Sequence, residues 1–103
     1  KAGGYTFENA NVRLEHEYHI WDDLELPDGR KLATGMLLHA CNIVEHPELI
    51  AERLVRFADR VGRDNVIAGT DCGLGGRVHP QIAWAKLRAL RDGAALASKK
   101  LWS

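Results

Sequence analysis

Apolar positions along the chain follow two rhythms, short continuous or alternating runs and longer stretches at helical spacing. Gly3-Gly4 leads into Tyr5-Thr6-Phe7-Glu8, an aromatic and β-branched run that predicts a strand. Leu14, Tyr18, Trp21 and Leu24 recur at helical spacing and predict a short helix within 13–24, although Tyr18 and Ile20 alone would suit a strand. Pro27-Asp28-Gly29 predicts a turn, with Gly29 available for a positive φ. From Gly35, Met36-Leu37-Leu38-His39-Ala40-Cys41 is apolar apart from His39, the pattern of a strand buried on both faces. A helix follows: Pro47 suits its first turn, Glu48 and Glu52 lie near the positive end of its dipole, and Ile50, Leu54, Phe57, Ala58 and Val61 form one stripe before a capping Gly62. Val66-Ile67-Ala68-Gly69-Thr70 predicts a third strand, and Asp71-Cys72-Gly73-Leu74-Gly75-Gly76 a glycine-rich loop. A second helix starts near Pro80, with Ile82, Trp84 (or Ala83), Leu87, Leu90 and Ala94 on its buried side.

These strands begin near Tyr5, Met36 and Val66, about 31 and 30 residues apart, and a (β/α)8 barrel allots about 31 residues to each βα unit. Strand–helix alternation at that spacing predicts a parallel α/β fold, specifically a partial (β/α)8 TIM-type barrel of about three units. The segments do not resemble one another, so a solenoid of repeats is rejected.

Composition narrows the class further. With 103 residues, 46% of them hydrophobic, the chain makes one domain at most, spanning 1–103, and wholesale disorder is excluded. No apolar run is long enough for a transmembrane helix, and Lys-Ala-Gly-Gly-Tyr-Thr-Phe-Glu reads as the middle of a folded protein, not a secretory signal. Fourteen basic and fourteen acidic side chains balance, which gives no reason to expect nucleic acid or an anionic membrane as partner. Residues 1–51 nevertheless carry four Lys/Arg against nine Asp/Glu, and residues 52–103 ten against five. That asymmetry favours packing of the halves on each other or on a second copy, or simply reflects solvated helical faces. Cys41 and Cys72 are too few for a disulfide framework, and reduced thiols in a cytoplasmic protein are the simpler expectation.

In parallel α/β proteins sites form at the carboxyl ends of strands. Glu8 stands after the first strand, His39 and Cys41 on the second, and Cys72 after the third. Thiolate, imidazole and carboxylate donors together suit a tetrahedral divalent ion, and catalytic zinc keeps one position open for a substrate. Each residue also has a purely structural alternative. Glu8 can cap the following turn or pair with Arg13, Cys41 and Cys72 can be small core residues, and His39 can be a hydrogen-bonded core histidine. His39-Ala40-Cys41 matches a His-x-Cys zinc pair as a string, and positions i and i+2 of a strand point the same way. The loop 73–76 lacks the spacing of a phosphate-binding motif. Trp21, Trp84 and Trp102 read as packing residues, and His16, His19, His46 and His79 as flanks of helices and loops.

Val66-Ile67-Ala68-Gly69-Thr70-Asp71-Cys72-Gly73-Leu74 resembles the carboxyl-terminal part of the cobalamin-independent methionine synthase family. It is more similar still to the shorter homologues of that superfamily, which include the epoxyalkane:coenzyme M transferases. Phe7-Glu8-Asn9-Ala10-Asn11, His46 through Leu54 and Ile82 through Leu90 resemble the same homologues. The resemblance implies the last three βα units of a barrel enzyme that binds zinc and presents a thiol substrate as thiolate for alkyl transfer. In the methionine synthases that thiol is homocysteine and the donor a methylated folate polyglutamate. Cys72 matches the family's last zinc cysteine and Glu8 its zinc glutamate. His39 carries over, with a one-residue shift, as the histidine of a catalytic Asp-x-His run that here reads Leu38-His39-Ala40. The family's other two ligands form a His-x-Cys pair ahead of the glutamate, so half of a zinc site is expected in this chain. The alternative expectation is a non-catalytic α/β module that assembles as a homo-oligomer or with a missing barrel segment.

Overall fold

The computed structural model describes residues 3–11, 13–27, 29–39 and 41–103. Strands β1 (Gly4–Phe7), β2 (Lys31–Leu37) and β3 (Val66–Thr70) form one parallel sheet in the order β1-β2-β3. A 3-10 segment, Glu15–Asp22, lies between β1 and β2, helix α1 (Pro47–Val61) between β2 and β3, and helix α2 (Pro80–Leu101) after β3. The architecture is α/β, as the strand–helix alternation predicts.

The sheet register decides which residues share a face. Tyr5, Leu32 and Val66 are partners across the three strands, as are Phe7, Thr34 and Ala68. This face meets the helices. Leu32, Met36 and Leu37 are buried with Ile50, Ala51, Leu54 and Phe57 of α1 and Ala89 and Ala97 of α2, and Phe7, Val66 and Ala68 pack against that core. Thr6, Ala33 and Ile67 alternate to the opposite face, where no described helix covers them and Ile67 is 51% exposed.

Helix α1 has the predicted limits. His46 precedes Pro47 and its Nδ1 accepts the Glu48 N–H at 3.1 Å, while Gly62, at φ 97°, ends the helix by donating its N–H to Ala58. His79 does the same for α2, accepting the Gln81 N–H at 3.1 Å ahead of Pro80. These histidines are caps, a role that composition alone did not suggest. The turn at Pro27 closes through the Arg30 N–H on the Pro27 carbonyl at 3.1 Å, with Gly29 at φ 77°; Asp28 lies outside the described residues.

Four expectations are corrected. The helix within 13–24 is a 3-10 segment, Glu15–Asp22, in which Tyr18 and Trp21, one turn apart and therefore eclipsed, both pack on the core. The second strand covers Lys31–Leu37 and not Met36–Cys41, because the Leu38 N–H donates to Glu45 Oε2 at 2.7 Å instead of extending the ladder. The strands therefore begin at Gly4, Lys31 and Val66, without the even spacing expected. Finally, α2 is buried along Lys86, Ala89, Gly93 and Ala97; of the expected stripe, Leu90 and Ala94 pack against the core, whereas Trp84 is 63% exposed and Leu87 also faces solvent. Small residues win that face because α1 comes close: a Cβ on Gly93 would lie 2.5 Å from Ile50 Cβ and 2.9 Å from the Pro47 carbonyl oxygen.

Of the three tryptophans, Trp21 alone packs against the core, stacked on Phe7 at 6.4 Å. The Arg63 guanidinium lies over the Trp102 ring at 3.8 Å. The charge asymmetry resolves into contacts inside the chain. Glu15 binds Arg53 and Arg56, each at 3.1 Å, Asp22 binds Arg60 at 2.8 Å, and Glu45 binds Lys86 at 2.8 Å. Every one of these pairs joins the acidic first half to the basic second half.

Candidate functional site

Glu8, His39 and Cys72 each follow the carboxyl end of a different strand, and the parallel sheet brings those three ends side by side. One ligand atom from each lies within 4.8 Å of the others. The meeting point is a single oxygen: Glu8 Oε1 is 3.7 Å from His39 Nδ1 and 3.7 Å from Cys72 Sγ. Glu8 therefore faces the other strand ends and makes no ion pair with Arg13 among the described residues.

The clamp that holds this arrangement is Asp71, which the sequence reading passed over. Its side chain is buried, and its Oδ1 accepts the backbone N–H groups of Asn9 at 2.8 Å and Ala10 at 2.9 Å. Oδ2 accepts Asn11 Nδ2 at 3.1 Å, and the Asp71 N–H donates to Leu37 at 2.9 Å. One residue thus ties the exit of β1 to the ends of β2 and β3, with Glu8 and Cys72 as immediate sequence neighbours of the tied groups. Charge-assisted bonds of this kind are stronger than neutral ones. The carboxylate fits because residue 35 is glycine: a Cβ there would lie 1.8 Å from Asp71 Oδ1. The Asp-Cys-Gly string held the signal, since a carboxylate beside a candidate ligand at a strand end needs a partner.

Beyond β2 the chain turns outward on a second buried network. Lys86 Nζ donates to Glu45 Oε1 at 2.8 Å and to the Ile43 carbonyl at 2.7 Å, and Glu45 Oε2 takes the Leu38 N–H. Cys41 belongs here, half-buried, with Sγ 3.8 Å from Lys86 Nζ and 3.9 Å from the Ile43 carbonyl. The same-face argument for His39 and Cys41 fails because neither residue is on the strand; Ala40, between them, lies outside the described residues.

Desolvation raises the Cys72 pKa above its usual range; the charge of Glu8 and the hydrogen bond to it add to the shift, Arg77 opposes it and Asp71 reinforces it. A cation would reverse that balance, since a coordinated thiol is deprotonated outright. Sulfur, nitrogen and oxygen donors suit zinc, and His39 Nδ1 is buried with no hydrogen-bond partner among the described residues. The donor set fits the ion.

No protein-family model and no curated protein matches the chain. Among solved structures, a B12-independent methionine synthase from Shewanella sp. W3-18-1, in complex with selenomethionine, is similar with a TM-score of 0.82 and 25% sequence identity. The match covers 96% of this chain and 27% of that one, so the chain spans about a quarter of that protein's length. The chain is thus structurally related to part of a cobalamin-independent methionine synthase. No described helix is long and apolar enough to cross a membrane.

Proposed function

We propose that these residues form the carboxyl-terminal segment of a zinc-dependent thiol alkyltransferase of the methionine synthase type. The observation that carries this reading is the convergence of Glu8 and Cys72, the two residues that the resemblance marks as zinc ligands, at adjoining strand ends beside His39. The segment is read as three βα units of a TIM-type barrel. Its helices lie on one face of the sheet, as in a barrel wall, whereas a doubly wound sheet carries them on both.

In this reading Glu8 and Cys72 would hold the ion, as carboxylate and thiolate donors. When bound, zinc supplies the positive charge that keeps a substrate thiol ionised at neutral pH. Asp71 keeps Glu8 facing Cys72 by fixing the backbone of Asn9 and Ala10. His39, at the same oxygen, is placed to hold or release a proton beside the reacting sulfur. Homocysteine is the substrate expected of a methionine synthase, with a methylated folate as donor. The likeness to the shorter homologues admits another small thiol. Cobalt(II) substitution tests the reading: homocysteine added to the cobalt-loaded chain should generate a new sulfur-to-metal charge-transfer band. A spectrum unmoved by millimolar homocysteine or coenzyme M would refute it.

A second reading, a non-catalytic module that self-associates, is favoured by the uncovered sheet face at Thr6, Ala33 and Ile67. All-parallel sheets are normally covered on both faces. Self-association predicts a concentration-dependent dimer in sedimentation equilibrium. A compact monomer across a hundredfold concentration range refutes it.

A further inference from the structure

We infer that Cys41 and Lys86 form an oxidative cross-linking site, at which hydrogen peroxide joins Sγ to Nζ through a covalent sulfur–nitrogen bond. The site belongs to the buried network beyond β2, involves neither Glu8 nor Cys72, and stands whether or not those residues hold a metal.

Three observations carry it. The first is contact between a thiol and an amine from distant parts of the chain: Cys41 Sγ is 3.8 Å from Lys86 Nζ, across 45 residues of sequence. The second is that the amine is held in place. Lys86 is 0% exposed, and its Nζ donates to Glu45 Oε1 at 2.8 Å and to the Ile43 carbonyl at 2.7 Å. An ammonium has three N–H groups, and the third has the sulfur within reach. Folding has thus already ordered a flexible side chain against its reaction partner. The third is unequal access. Cys41 is half-buried and stands between β2 and α1, outside strand and helix, two residues before Ile43 at 72% exposed, whereas Lys86 is enclosed. A small oxidant reaches the sulfur first, and the sulfur sits on chain free to close the remaining distance. The chemistry then follows from the groups present. Peroxide is reduced to water as its O–O bond breaks, and Cys41 becomes a sulfenic acid. Glu45 Oε1, 2.8 Å away, takes one proton from Nζ and frees the lone pair. Nζ attacks Sγ, the S–O bond breaks, and the hydroxyl leaves as a second water with a proton from the amine. Each peroxide consumed gives two waters, and the chain loses two hydrogens. Cys72 instead meets the Glu8 carboxylate at 3.7 Å, which is no nucleophile for this condensation.

Mass spectrometry of the full chain carrying Cys72→Ser, treated with equimolar hydrogen peroxide, tests the inference. The intact mass should fall by about 2 Da, trypsin should no longer cut after Lys86, and the peptides holding Cys41 and Lys86 should appear joined. Dithiothreitol should restore both mass and cleavage. Neither change should occur when Cys41→Ser is added, or in urea, where the two groups are not held together. The joined peptides come from a chain with Lys86 intact, so the result does not depend on a destabilised lysine variant folding. A rise of about 16 or 32 Da at Cys41 with Lys86 still cut, an ordinary sulfenic or sulfinic acid, overturns the inference. So does a link from Cys41 to any other lysine, or an equal yield in urea. A rise of about 14 Da on the joined peptides, which keeps an oxygen between sulfur and nitrogen, overturns the direct bond.

Discussion

Replacing Gly35 with alanine adds one methyl group at the point where the site is most tightly built. That carbon would lie 1.8 Å from Asp71 Oδ1, 2.9 Å from its Cγ and 3.0 Å from its Cα. Two responses are open. The backbone of β2 and β3 can separate, an overpacking cost of about 1–3 kcal/mol. Alternatively the carboxylate can leave, giving up its bonds to Asn9, Ala10 and Asn11, worth about 1.5–3 kcal/mol each when the acceptor is charged. The chain takes the cheaper path or a mixture, so a loss of about 2–4 kcal/mol is expected, a large part of the roughly 5–15 kcal/mol that holds a domain folded. Urea denaturation of a double-mutant cycle measures it. With Asp71→Ala in place the clashing oxygen and Cγ are gone, so Gly35→Ala should then cost less than about 1 kcal/mol. Equal costs of Gly35→Ala in the two backgrounds, within about 0.5 kcal/mol, would refute the clash with Asp71 as the cause.

Lys86→Met should destabilise the chain by about 3–5 kcal/mol, because Glu45 then keeps a buried charge without its partner. Lys86→Met combined with Glu45→Gln should recover part of that loss, since the amide oxygen still accepts the Leu38 N–H; chemical denaturation of both variants checks this. Acid sensitivity should depend on Glu15. Burial raises its pKa, but the charge and hydrogen bond of Arg53, with those of Arg56, outweigh it and hold the value below the ordinary one. A depressed carboxylate pKa stabilises the fold at neutral pH, and that contribution disappears as acid titrates the group through its folded-state value. Glu15→Gln should therefore lower stability at pH 7 and flatten its decline below pH about 5, and parallel decline in both proteins would count against the assignment.

The elements with strong local signals were legible in the sequence. Pro47 and Gly62 bracket α1, and β3 is set off by Asn65 on one side and Asp71-Cys72-Gly73 on the other. Strand β2 was misplaced because Leu38 and Cys41 continue the apolar pattern past its end, and what stops the strand is Glu45, seven residues away. The buried face of α2 was legible only in part, at Leu90 and Ala94, for a related reason: Lys86 and Gly93 look like surface residues until Glu45 and Ile50 are set against them. Glu8 and Cys72 stood out as chemistry at strand ends. Their clamp did not, because Asp71 finds its partners across the full width of the sheet.

The strand order gives the site a kinetic signature. Glu8 and Cys72 lie 64 residues apart in sequence, just beyond the ends of β1 and β3, strands that are joined in the sheet only through β2. Their approach must therefore await docking of both outer strands and comes after the loop-closure entropy of nearly two-thirds of the chain has been overcome. An ion held by Glu8 and Cys72, as proposed, would bind the native arrangement in preference to the unfolded one. It would act as a removable cross-link whose occupancy slows unfolding and reports the moment the first and last strands are both in place.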